Sequence, residues 1–100
     1  MAWKLVLVRT IPDADTAFEK MSAEVIAYMK TNYDDAGKRT SFSVSSSDDG
    51  LVLTYTSIFR DEASKNEFLA DSTIAAESTR RNTINASNGI TKEITVDEEV

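Results

Sequence analysis

The chain has 100 residues, net charge −6, a single proline and neither cysteine nor histidine. The missing cysteines remove disulfides, thiol catalysis, iron–sulfur clusters and cysteine-ligated zinc. The missing histidines remove the commonest general base and metal ligand, so no metal site and no cofactor is expected.

The acidic balance disfavours nucleic acid and anionic membranes as partners, because phosphate binding needs clustered Lys and Arg. No run approaches the ~20 apolar residues of a membrane span. The start, MAWKLVLVRTIP, has too short an apolar run and no small-residue cleavage site for a signal peptide, so a cytoplasmic protein is the expectation. A chain of this length buries roughly two-thirds of its unfolded surface, enough for one core without staples.

Trp3 to Thr10 reads as the first strand, with Trp3, Leu5 and Leu7 on one face and Val6 and Val8 on the other. Apolar residues on both faces mark an inner strand. Pro12 ends it, and Asp13, Asp15 or Thr16 offers a helix cap. Phe18, Met21, Val25, Tyr28 and Met29 then recur at helical spacing, predicting a helix from about Asp15 to Asn32 that stops by Gly37. Lys38 to Ser46 reads as a one-sided strand, with Phe42 and Val44 against serines 41, 43 and 45. Ser47-Asp48-Asp49-Gly50 predicts a hairpin turn into Leu51–Phe59, the strongest strand pattern in the chain.

Asp61 is placed to cap a helix that carries Ala63, Phe68 and Leu69, and Asp71-Ser72-Thr73 marks a break with a fresh cap. A second helical piece follows over about Thr73–Thr83, then a loop at 85–89 and a last strand from Ile90 to Val96. Residues 1–96 therefore form one domain, and 97–100 read as a solvated acidic tail.

The order β-α-β-β-α-β predicts an α+β, ferredoxin-like fold: a four-stranded antiparallel sheet with helices on one face, strands one and three central. The uncovered face is partly apolar. A homodimer pairing sheet to sheet is expected to cover it, or else a small hydrophobic ligand.

The run from the hairpin through Phe59-Arg60-Asp61-Glu62-Ala63-Ser64-Lys65-Asn66-Glu67-Phe68-Leu69-Ala70-Asp71-Ser72 resembles the dimeric α+β barrel proteins, among them antibiotic-biosynthesis-type monooxygenases and stress-responsive barrel domains. The resemblance implies a ferredoxin-like protomer, dimerisation through the sheets and a small cavity between sheet and helices. Haem-degrading members ligate iron through histidine, which this chain lacks. Members that oxidise polycyclic phenols without a cofactor use polar and aromatic pocket residues such as Asn, Trp and Arg. Trp3, Arg9, Asn66 and Tyr55 are of fitting types but are not matched position by position to a family motif, so no catalytic residue is carried over.

Three side chains are candidates for ligand contact: Tyr55 within a central strand, Arg9 at a strand end and Trp3 at a strand start. Each also has a structural reading, as core aromatic, ion-pair partner or interface residue. Arg80-Arg81 is the strongest local positive charge, and its plainer reading is complementing a helix C-terminus. The acid pairs all fall in turns or at a helix start, where nothing shifts them toward acid–base work. The reading that results leans away from an enzyme: a small dimeric domain that is non-catalytic or binds a small ligand. Its alternatives are a cofactor-independent monooxygenase acting on a small aromatic or hydrophobic substrate, and a structural or assembly protein.

Overall fold

Asp49 builds the hairpin. Its carboxylate accepts from the Leu51 backbone N–H at 3.0 Å and from the Ser47 hydroxyl at 2.6 Å. Gly50 turns the chain with φ +75°, a conformation that suits glycine. In the computed structural model, which covers residues 1–100, this turn joins β2 (Arg39–Ser46) to β3 (Val52–Phe59). The other strands are β1 (Trp3–Thr10) and β4 (Thr91–Glu99). The sheet is antiparallel in the order β2-β3-β1-β4, with strands one and three central as their two apolar faces predict.

The register decides which side chains meet. β1 runs against β3 from Trp3 opposite Phe59 to Thr10 opposite Val52. It runs against β4 from Trp3 opposite Glu99 to Thr10 opposite Thr91, with one irregularity between Val6 and Leu7. Leu5, Leu7 and Arg9 thus share a face with Leu53, Tyr55 and Ser57.

The helices are α1 (Ala23–Met29), which continues as a π-helical turn over Lys30–Asp34, then α2 (Glu62–Ala70) and α3 (Ser72–Ser87). Together these elements make the α+β, ferredoxin-like fold. The core is Leu5, Met29, Tyr33, Phe59, Phe68 and Ile74. Phe68 stands edge-on to Tyr33 at 5.0 Å and to Phe59 at 5.2 Å, each contact contributing about 0.5–1.5 kcal/mol beyond area burial.

Asp71 holds three elements together. It accepts from the Thr73 and Ile74 backbone N–H groups at the start of α3, as its cap position predicts. It also accepts the hydroxyls of Tyr28, at 2.7 Å, and Tyr33, at 2.8 Å.

Three boundaries differ from the sequence reading. The first helix starts at Ala23, capped by Ser22, and not near Asp15. Asp13 instead closes a local turn, accepting from the Asp15 N–H and the Thr16 hydroxyl. The segment after it is held by α3: Glu19 N–H donates to Asn85, Ser22 N–H to Glu77, and Asn88 donates to the Ala17 carbonyl. Next, α3 runs on to Ser87 and absorbs part of the expected loop. Finally, Asp97, Glu98 and Glu99 are not a tail but the end of β4, opposite Leu5, Lys4 and Trp3.

Candidate functional site

The helices do not close down on the sheet along its whole width. Between them lies a cleft of about 960 Å³, within the roughly 300–1,000 Å³ range of ligand pockets. Its floor is Leu5, Leu7, Leu53 and Tyr55 from the two central strands, with Phe42 and Val44 from β2. Met21, Ile26, Met29, Leu69 and Ile74 form the opposite wall. Phe42, Val44, Ile26 and Leu69 remain about half exposed, so apolar surface is left open to water around this cleft. The one-sided pattern of β2 has its cause here: Phe42 and Val44 face the cleft, and the serines face away from it.

The two ends of the cleft differ in charge chemistry. At one, Arg39 makes a two-point ion pair with Asp34, Nε to Oδ1 at 2.6 Å and Nη2 to Oδ2 at 3.0 Å. Its guanidinium also lies 4.4 Å from the Phe42 ring centre and 5.3 Å from that of Phe68. That charge is compensated.

At the other end, Arg9 of β1, Lys92 of β4 and Arg81 of α3 all face the cleft. Arg9 and Lys92 are cross-strand neighbours. Arg9 donates to Asn82 Oδ1 at 3.0 Å, a neutral amide; Arg81 Nε reaches the Glu19 carbonyl at 3.4 Å; Lys92 Nζ lies 3.4 Å from Ser78 Oγ. None of the three takes part in a salt bridge. Burial lowers the Arg9 pKa from its ordinary value, and the nearby Arg81 charge adds to the effect. Lys92 is lowered as well, by desolvation first and then by Arg9 and Arg81.

Of the three side chains singled out from the sequence, the structure brings two together. Tyr55 lies on the cleft floor and Arg9 at its cationic end. Trp3 is elsewhere, six residues along β1 and so about 20 Å from Arg9. It packs on the core, donates its indole N–H to Asp97 at 2.6 Å and lies under the Lys65 ammonium.

Arg80 and Arg81 sit in mid-helix, because α3 continues to Ser87, so neither complements a helix end. Successive helical side chains diverge by about 100°. Arg80 turns outward to Glu19 and Glu77, whereas Arg81 turns to the cleft. Lys92 carried no signal of its own. Only the β1–β4 register, which sets it opposite Arg9, could have pointed to it.

One solved structure shares this architecture. That of Rv0793 from Mycobacterium tuberculosis superposes with a TM-score of 0.59 over 98% of this chain and 97% of its own. The two sequences are 14% identical, so the likeness is one of fold. No family model matches the chain, and no curated protein matches its sequence. The cleft therefore has to be interpreted from its own residues.

Proposed function

We propose that the protein binds a small, largely apolar molecule in the cleft between sheet and helices, and that it acts by binding and not by catalysis. One observation carries this reading: a cleft of ligand size whose floor and rim are apolar and partly exposed, with polar groups gathered at its ends. The groups that reach the cationic end, two guanidiniums, an ammonium and a nearby phenol, are suited to holding and orienting a ligand. The fold, the cleft and the stretch at 59–72 support kinship with the dimeric α+β barrel proteins. Val8, Val52 and Ile58, each partly exposed on the outer sheet face, support a second copy of the chain as its cover.

Titration with the neutral fluorophore N-phenyl-1-naphthylamine tests the binding reading. Saturable enhancement is expected, and Val44→Asp, which places a charge on the half-exposed part of the apolar floor, should weaken it at least about tenfold. Absence of saturable binding, or equal binding by the variant, overturns it. Loss of a phenol's absorbance on incubation with the protein in air would favour the cofactor-independent monooxygenase reading instead.

A further inference from the structure

The chain buries four cations: Arg9, Arg39, Lys65 and Arg81. Two of them have carboxylates within salt-bridge reach, Arg39 with Asp34 and Lys65 with Asp97. The other two have none, although the protein carries 17 acidic residues against 11 basic ones. A buried cation without a counter-ion is costly, which is why buried charges are ordinarily paired. Arg9 is 3% exposed and Arg81 7%, and they converge with Lys92 on the same end of the cleft. Their only hydrogen-bond partners are an amide oxygen, a backbone carbonyl and a hydroxyl, and Arg81 also lies 5.9 Å from the Phe18 ring centre, groups that bring no net negative charge.

We propose that Arg9, Arg81 and Lys92 form the binding site for the oxyanion head of an amphiphilic ligand, a carboxylate or phosphate monoester whose apolar body lies along the cleft floor. The ligand supplies the counter-charge that the chain withholds. Guanidinium forks match the paired oxygens of either head, and the strand-borne ammonium adds a point charge from a third direction. Tyr55, on the floor beside Arg9, lines the path from head to body. Electrostatics at large agree: an acidic surface repels anions in general, so a cationic recess admits those whose apolar part also fits.

This inference rests on the binding reading and specifies its ligand class, so its test separates the two. Octanoate, octyl phosphate and octanol share one apolar body and differ in the head. Each is used to displace N-phenyl-1-naphthylamine from the cleft. At least one of the two anions is expected to compete at least about tenfold better than octanol, and the better one identifies the head. Lys92→Gln, an exposed strand position, should remove much of that advantage while leaving octanol unchanged. Arg81→Gln should remove more, with circular dichroism as the check on its fold; if it does not fold, Lys92→Gln decides. Equal competition by all three, or variants that weaken octanol as much as the anions, overturns the oxyanion site and leaves the apolar cleft standing. Failure of the neutral fluorophore to bind overturns both.

Discussion

Arg9 and Lys92 stand directly opposite each other across β1 and β4, two like charges on the face turned toward the cleft. Directly opposed like charges destabilise a sheet, typically by about 0.2–1 kcal/mol. In the ligand-free protein, Lys92→Gln should therefore raise the melting temperature, and the gain should shrink at high salt as screening weakens the repulsion. Thermal denaturation at low and high sodium chloride measures both. A variant that melts lower than the parent at low salt would mean that Lys92 supports the fold through its packing. The expected opposition, stability gained and anion affinity lost at one residue, is the pattern of a site that holds strain for function.

Asp71 should be among the most sensitive positions outside the core. Asp71→Ala removes the cap of α3, costing about 0.5–2 kcal/mol, and leaves the buried Tyr33 hydroxyl with only a 3.3 Å contact to the Glu67 carbonyl, about 1–3 kcal/mol more. Urea denaturation would measure the loss, and a cost below about 0.5 kcal/mol would refute this account. The same contacts set an alkaline limit. Tyr28 is raised above the ordinary tyrosine range first by its hydrogen bond to Asp71, and Tyr33 first by burial and then by that carboxylate. A phenol held neutral in the folded state stabilises the fold below its unfolded pKa of about 10 and less so above it. Stability should therefore fall as pH rises past about 10, with absorbance at 295 nm showing Tyr28 and Tyr33 ionising above the ordinary tyrosine range.

Glu77 gives the fold an acid limit of the opposite sign. Its carboxylate accepts from Arg80 and from the Ser22 backbone N–H, which together hold its pKa down at about 2. A depressed carboxylate pKa stabilises the fold above the unfolded value and is lost as pH falls, here between about 4.5 and 2. Glu77→Gln should lower the melting temperature at pH 7 by several degrees, about 5 °C, and flatten its fall across that window. Parallel pH profiles for parent and variant would show that Glu77 does not couple the 17–22 segment to α3.

The sheet was legible in the sequence because alternation, the Asp-Gly turn and the Asp61 and Asp71 caps are local signals that tertiary contacts reinforced. The first helix began late for the converse reason. Asp13 and Thr16 satisfy each other in a turn, and residues 17–22 take their hydrogen bonds from Asn85, Glu77 and Asn88, more than 50 positions away. No local pattern announces that. The candidate site was legible by halves. Arg9 and Tyr55 stood out on strands, but Arg81 and Lys92 join them only through helix phase and strand register.

The acidic end of the chain offers the last test. Asp97 accepts the Trp3 indole N–H at 2.6 Å and pairs with the buried Lys65 ammonium at 3.1 Å, and its pKa is lowered first by the Trp3 bond and then by Lys65. Removing residues 97–100 would strip β1 of its partner at Trp3, Lys4 and Leu5 and leave Lys65 buried without a counter-charge. A loss of about 2–4 kcal/mol is expected, with a red shift in the emission of Trp3, the single tryptophan. Asp97→Asn keeps an acceptor for the indole but not the charge for Lys65, so it should cost less and shift the emission less. If the shortened chain melts with the full-length protein, its last four residues are a solvated tail after all.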